Sequence, residues 1–111
     1  MVELPEGEVD LWFAYPDEWE EPALTESAHG ILDAGEIARS ERLRSPALRQ
    51  LFLTSRLLLR TTLSRYADIL PGGWRFVANE HGKPRVAPEM GPSAPAFNLA
   101  HTSAGVAVVA V

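Results

Sequence analysis

The sequence predicts an α+β domain in which two early helices pack on one face of a mostly antiparallel sheet. Two helical stretches have recognisable starts, at Asp33 and at Ser45-Pro46. Short β-prone segments bounded by proline and glycine precede and follow them, at residues 9–15 and from residue 74 onward. With 111 residues, 46% of them hydrophobic, the chain can form one domain with a real core, and we assign residues 1–111 to a single domain.

The N-terminal part predicts one strand followed by a loop. Val9–Tyr15 is rich in aromatic and apolar residues and is stopped by Pro16. Residues 16–30 contain two prolines and several acids, so we expect a loop with at most one short helical turn near residues 24–28.

Two helices are expected next. Asp33 and Glu36 have the spacing of a capping box, which predicts a helix from there to about Arg44. Ser45 as N-cap and Pro46 at the first helical position predict a second, longer helix that ends near Leu70. Leucines occupy most of the circumference of this second helix, which indicates that it is largely buried.

A narrow line of arginines interrupts the apolar surface of the long helix. Arg49, Arg56 and Arg60 are seven and four residues apart, so they project along nearly one line at about 100° per residue. Charged groups flanked by leucines need anionic partners. The acid-rich N-terminal segment or a bound phosphate could supply them, and we favour structural pairing for Arg56 and Arg60.

The last third of the chain predicts four short strands. Residues 74–78 and 83–86 are extended on either side of a turn at 79–82, and a proline-rich loop follows. A strand ending at Leu99 and the apolar run Val106–Val111 complete the sheet, and the unbroken run indicates burial on both faces. His101 lies in the turn between these last two strands, where a polar ring either has a structural partner or binds a ligand.

Charge is distributed unevenly along the chain. Residues 1–38 contain eleven acids and no Lys or Arg, whereas residues 39–111 contain all ten Lys and Arg and four acids. Seven arginines and one acid lie between Arg39 and Arg65. A basic block in a chain of net charge -5 indicates either a local anion site or mutual neutralisation of the two parts. A nucleic-acid interface ranks low, because aromatic residues do not alternate with the arginines.

Composition limits the remaining classes of protein. The chain has no cysteine, which excludes disulfides and thiolate metal sites and fits a reducing compartment. No signal segment and no apolar run of membrane-spanning length is present, so we expect a cytoplasmic protein without a membrane partner. There is also no metal-ligand spacing and no phosphate-loop glycine pattern.

Three separated signals together resemble the Sfp-type 4′-phosphopantetheinyl transferases. These are the arginine-rich helix pair, the turn Gly82-Lys83-Pro84, and the strand end Phe97-Asn98-Leu99-Ala100-His101-Thr102. The resemblance implies an enzyme that moves phosphopantetheine from coenzyme A to a serine of an acyl or peptidyl carrier protein with Mg²⁺. It also implies a fold of two similar halves, of which this chain resembles the N-terminal half.

The resemblance assigns expected roles to individual residues. It implies that Lys83, with Pro84 fixing its backbone, contacts a phosphate or the adenine end of coenzyme A. It places His101 at a coenzyme A phosphate and Arg39 near the 3′-phosphate. Arg49 is a weaker candidate for the same ligand, and Thr102 offers a hydroxyl that partly replaces the family's usual serine, which is Ala100 here.

The chain also departs from the family pattern. The family's acidic metal-binding motif lies on the next strand, so we expect no Mg²⁺ ligands and no confident catalytic residue within these 111 residues. We therefore expect this part of the enzyme to be inactive alone and to associate with a missing C-terminal half, or with itself, through the terminal strand. Two alternatives remain open: a non-catalytic module that binds coenzyme A or phosphate or aids assembly, and a small structural α+β domain.

Overall fold

The computed structural model describes residues 10–15, 21–78, 83–90, 96–101 and 105–110. These residues form an α+β fold, as the sequence predicts, with the order β-α-α-α-β-β-β-β. The predicted turn at residues 79–82, most of the proline-rich loop and Thr102 lie outside the described residues. For His101 the structure describes the backbone.

The helices are α1 (Glu21–Ile31), α2 (Ala34–Glu41) and α3 (Pro46–Leu63). Helix α1 corrects the expectation of a loop. Its proline, Pro22, lies in the first turn, where the missing N–H breaks no helical hydrogen bond. Leu24, Ala28 and Leu32 recur every four residues and are buried against Leu53 of α3.

The two predicted caps are present. Asp33 Oδ1 accepts from the Glu36 backbone N–H at 2.8 Å, and Glu36 Oε1 accepts from the Asp33 N–H at 3.1 Å. Ser45 Oγ accepts from the Leu48 N–H at 3.3 Å, with Pro46 at the first helical position. Helices α2 and α3 end at Glu41 and Leu63, both earlier than predicted. The backbone N–H groups of Arg65 and Tyr66 bond to carbonyls three residues back, and this tighter turn ends α3.

The described strands form two antiparallel sheets. The three-stranded sheet has the order β1 (Asp10–Ala14), β5 (Val106–Ala110), β4 (Phe97–His101), and β2 (Phe76–Ala78) pairs with β3 (Pro84–Val86). Strand β2 begins two residues later than predicted. The Trp74 carbonyl accepts from the Arg60 side chain and not from a neighbouring strand, whereas the Arg75 carbonyl accepts from the Ala87 N–H in the register of β3. Short 3₁₀ turns lie at Pro71–Gly73 and Pro88–Met90.

Strand β5 lies at the centre of its sheet, between β1 and β4. This corrects two expectations. The described part of the terminal strand has neighbours on both sides, so its edges are not available for association. It is also not buried on both faces: Val106, Val108 and Ala110 are buried, whereas Ala107 and Val109 on the other face are half-buried.

The core lies between α3 and the inner face of this sheet. Leu59 and Leu63 of α3 pack with Val108 and Trp74, all of them fully buried. On the outer face the large side chains of β1 remain exposed, Leu11 by 57% and Phe13 by 59%. No helix among the described residues is long and apolar enough to cross a bilayer.

Candidate functional site

A groove of about 270 Å³ lies where helices α2 and α3 meet the β2–β3 hairpin. Helix α2 contributes its capping-box residues and Arg39, helix α3 contributes Phe52 and Arg56, and the hairpin contributes both of its strands. The full set of lining residues is Asp33, Gly35, Glu36, Arg39, Phe52, Arg56, Phe76, Val77, Ala78 and Pro84.

A buried ion network forms the inner wall of the groove. Arg60 is fully buried and donates from Nε to Glu36 Oε1 at 3.0 Å and from Nη2 to the same oxygen. Its Nη1 reaches the carbonyls of Pro71 and Trp74, each at 2.9 Å. Asp33 Oδ2 accepts from Nη2 at 3.3 Å. Four acceptor oxygens therefore satisfy this guanidinium, which confirms the predicted structural pairing of Arg60.

Arg56 lies one turn away and is much less well satisfied. Its side chain is only 10% exposed, yet the nearest carboxylate oxygen among the described residues, Glu36 Oε2, is 3.7 Å from Nη1, beyond hydrogen-bonding distance. Burial lowers the pKa of the Arg56 guanidinium, with Glu36 opposing this effect and Arg39 and Arg60 reinforcing it. Within the part of the chain that the structure describes, the predicted structural pairing is thus weak for Arg56.

Phe52 brings a second guanidinium to the same place. Its ring centroid lies 5.2 Å from Cζ of Arg56 and 5.3 Å from Cζ of Arg39. Among the described residues Arg39 has no ion pair, and its side chain is exposed. Counted over the described residues, three arginines against the two carboxylates of Asp33 and Glu36 leave one positive charge in excess around the groove. This excess favours an anionic ligand.

The predicted site residues divide into three sets. The structure brings Arg39 and Pro84 together as lining residues of the groove, with Lys83 exposed beside Pro84 at the start of β3. Arg49 is not among the lining residues and lies seven positions before Arg56 on α3. The backbone of His101 ends β4, paired with Val106.

Sequence reasoning missed three residues of the groove: Arg56, Glu36 and Phe52. Their spacing in α2 and α3 was visible, but Glu36 was interpreted only as a cap, and for Arg56 structural pairing with acids was favoured over the bound phosphate that the sequence also allowed. The burial of Arg56, with no carboxylate oxygen of a described residue closer than 3.7 Å, depends on how α2 packs against α3, which spacing along the chain does not show.

Comparison with known proteins decides the family. No family model matches the chain. It is 35% identical to the 4′-phosphopantetheinyl transferase HetI of Nostoc sp. (strain PCC 7120) over 99 residues, 89% of this chain and 41% of HetI. It is 42% identical over 72 residues to slr0495 of Synechocystis sp. (strain PCC 6803), a protein named as a candidate 4′-phosphopantetheinyl transferase; the match covers 65% of this chain and 29% of slr0495.

The chain belongs to the 4′-phosphopantetheinyl transferase family. The family resemblance predicted from the helix pair, the Gly82-Lys83-Pro84 turn and the Phe97–Thr102 segment is thereby confirmed. The matched region spans less than half the length of either phosphopantetheinyl transferase relative.

The carboxylates of the groove bear on whether it could hold a metal ion. Within the described ranges, no group of three or more His, Asp or Glu side chains converges on one point. The two carboxylates of the groove, those of Asp33 and Glu36, are already engaged by Arg60 and by each other's backbone N–H. A divalent cation would displace these bonds and lie next to Arg56, so the groove does not fit Mg²⁺.

Proposed function

We propose that this chain supplies the coenzyme A phosphate-binding side of a 4′-phosphopantetheinyl transferase. The observation that supports it most directly is the groove, where Arg39 and Arg56 meet over Phe52 with one positive charge in excess. Coenzyme A carries several phosphate groups, and guanidinium groups are well suited to bind phosphate oxygens in pairs.

The incomplete pairing of Arg56 explains why an anion would be bound there. A cation that is 10% exposed and has no hydrogen-bonding carboxylate among the described residues keeps much of its desolvation cost. A phosphate group in the groove offers oxygens at hydrogen-bonding distance and offsets that cost. The groove is too small for the whole of coenzyme A, so we assign it one phosphate and its neighbouring atoms.

The other predicted residues complete the proposed ligand site. Lys83, which immediately precedes β3, would contact a second phosphate or the adenine end, with Pro84 setting its backbone. His101 would contact a phosphate from the end of β4, with Thr102 beside it. Arg49 is assigned a more peripheral phosphate contact, because it lies outside the groove.

The proposed reaction is the transfer of phosphopantetheine to a serine of an acyl or peptidyl carrier protein. The serine oxygen forms the new bond to phosphorus, and the adenosine bisphosphate part of coenzyme A leaves. Mg²⁺ belongs to this chemistry, but the described residues hold no site for it. We therefore propose that the isolated chain binds coenzyme A without transferring its arm, and that the complete cytoplasmic enzyme needs a further segment.

That further segment, or a second copy of the chain, would cover the outer face of the three-stranded sheet. Leu11 and Phe13 are exposed there beside half-buried Ala107 and Val109, their partners in the sheet register. This apolar face replaces the edge of the terminal strand as the proposed site of association.

A binding module without chemistry is the second candidate. Ala100 stands where the resemblance expects a serine, and no metal cluster occurs among the described residues. Both functions use the same groove. An assay of the complete protein distinguishes them. A transferase attaches a phosphopantetheine probe to a carrier protein, whereas a binding module binds coenzyme A without turnover.

The proposed function is tested with two compounds that each represent one end of coenzyme A. Adenosine 3′,5′-bisphosphate and pantetheine are titrated separately into ¹⁵N-labelled chain, and the Arg39 and Arg56 side-chain resonances are followed. We expect saturable shifts with the bisphosphate, weakening as salt rises, and none with pantetheine. Shifts with pantetheine alone, or with neither compound at millimolar concentration, contradict the proposal.

A further inference from the structure

One aromatic ring in the groove faces two guanidinium groups that come from different helices. Cζ of Arg39, on α2, lies 5.3 Å from the centroid of the Phe52 ring, and Cζ of Arg56, on α3, lies 5.2 Å from it. Both distances allow cation–π attraction. Phe52 is four residues before Arg56, so these two side chains share a face of α3. Arg39 reaches the same ring from the neighbouring helix.

The two guanidinium groups carry like charge and repel each other. Burial is the main reason that the pKa of Arg56 is lowered, and the charge of Arg39 lowers it further, so the two groups are close enough to interact. Within the described ranges no carboxylate forms an ion pair with Arg39, and Glu36 is 3.7 Å from Arg56. Among the described contacts, the Phe52 ring is the attraction that both arginines share and that offsets their repulsion.

We infer that Phe52 is a positioning residue that holds Arg39 and Arg56 together for an incoming phosphate. The inference rests on the proposed function and names the side chain that prepares its anion site. A carboxylate at this place would also hold the arginines, but it would cancel their charge. A ring face attracts a guanidinium and leaves its charge and its in-plane N–H donors to the phosphate oxygens. Arginines that are already held there lose less freedom when the ligand binds.

The surroundings of Phe52 allow positioning to be separated from packing. The side chain is half-buried and packs against the cluster of α1 and α3 around Leu24 and Leu53. It lines the groove and, with Arg39, a second cavity of about 170 Å³. Leucine at position 52 keeps an apolar contact with the cluster but has no ring face. Tyrosine keeps the ring face, and the two cavities give space for its hydroxyl.

Titration of adenosine 3′,5′-bisphosphate into the variants measures the effect on binding. We expect the dissociation constant of F52L to be at least ~5-fold higher than that of wild type, and that of F52Y to stay within about twofold. L48A truncates an exposed side chain one turn earlier on α3, outside the groove, and should match wild type. Chemical denaturation of each variant shows that the titrated chains are folded.

The side-chain protons of the two arginines give a second test that needs no loss of stability. Protons held over the face of an aromatic ring are shielded, so the side-chain protons of Arg39 and Arg56 should resonate upfield of those of Arg44. Among the described residues, Arg44 faces no ring. We expect this upfield shift in wild type and F52Y and its loss in F52L. If F52L does not fold, the wild-type spectrum and the F52Y titration still decide.

Three results would each overturn the inference: wild-type affinity in a folded F52L chain, a large loss of affinity in F52Y, or wild-type spectra without the upfield shift. In each of these cases the wild-type chain still binds the bisphosphate, and the proposed function stands. A wild-type chain that does not bind the bisphosphate rejects the proposed function, and this inference with it.

Discussion

Arg60 of α3 and Glu36 of α2 are 24 positions apart in sequence and form a buried ion pair, with 3.0 Å between Nε and Oε1. The pair fastens α2 to α3, and the remaining Arg60 donors fasten α3 to the segment before β2 through the carbonyls of Pro71 and Trp74. One side chain thus links the two helices that line the groove to the segment that leads into β2.

Replacing Arg60 by methionine should strongly destabilise the fold. The substitution leaves the Glu36 carboxylate and two backbone carbonyls without their donor, and breaking a buried pair in this way costs about 3–5 kcal/mol. Chemical denaturation followed by circular dichroism measures the change. R44A, at an exposed position nearby, serves as the control and should stay within about 0.5 kcal/mol of wild type. An R60M chain of wild-type stability would show that the network is not structural.

Replacing Arg56 by methionine should change the stability of the fold little but weaken ligand binding strongly. Since burial lowers the pKa of this guanidinium, folding disfavours its charged form, and its closest carboxylate is 3.7 Å away. We expect R56M to unfold within about 1 kcal/mol of wild type or to be more stable. Binding of adenosine 3′,5′-bisphosphate should fall at least ~10-fold, because a charge-assisted hydrogen bond contributes about 1.5–3 kcal/mol.

The same pair of measurements, denaturation and ligand titration, can contradict this prediction for Arg56. A large loss of stability in R56M would assign Arg56 to the structural network with Arg60. Unchanged bisphosphate binding in a folded R56M chain would remove Arg56 from the ligand site.

Gly105 should tolerate a side chain poorly, because Tyr15 lies over it. A Cβ at position 105 would lie 3.0 Å from Cδ1 and 3.2 Å from Cε1 of the Tyr15 ring. We expect G105A to lose about 1 kcal/mol of stability, within the range for overpacking. In a Y15A background the same substitution should cost clearly less, and a double-mutant cycle measures the difference. Equal costs in both backgrounds would place the strain in the backbone instead.

The outer face of the three-stranded sheet should make the isolated chain self-associate. Leu11 and Phe13 are more than half exposed on β1 and point to the same face. Sedimentation velocity should show a mass that rises with protein concentration, and the double variant L11K/F13K should remain monomeric. A wild-type chain that stays monomeric over the same concentrations would contradict this use of the face.

The sequence predicted the helix starts correctly where they depend on residues close together in the chain. The capping box of Asp33 and Glu36 and the Ser45-Pro46 start were recognisable because cap residues act on backbone groups two or three positions away. Helix α1 was missed because Pro22 and the acids around it resemble a loop. The four-residue spacing of Leu24, Ala28 and Leu32 was the signal that outweighed them.

The candidate site was predictable only in part, because its decisive feature is a difference between two neighbouring arginines. Arg56 and Arg60 lie on the same line of the helix. Among the described residues, Arg60 has four acceptor oxygens, whereas no carboxylate oxygen lies within hydrogen-bonding distance of Arg56. That difference depends on which carboxylate oxygen of Glu36 faces which arginine. It follows from the packing of α2 on α3, as does the central position of β5.

Calorimetric titration of the 111-residue chain with coenzyme A, with and without Mg²⁺, tests the central claim most directly. We expect wild type to bind with a Kd below about 1 mM whether or not Mg²⁺ is present, because the groove does not fit the metal. The double variant R39M/R56M should show no saturable heat, H101A should bind more weakly, and R44A should match wild type. Wild-type affinity in R39M/R56M, or no binding by the wild-type chain, would contradict the assignment of the groove to a coenzyme A phosphate.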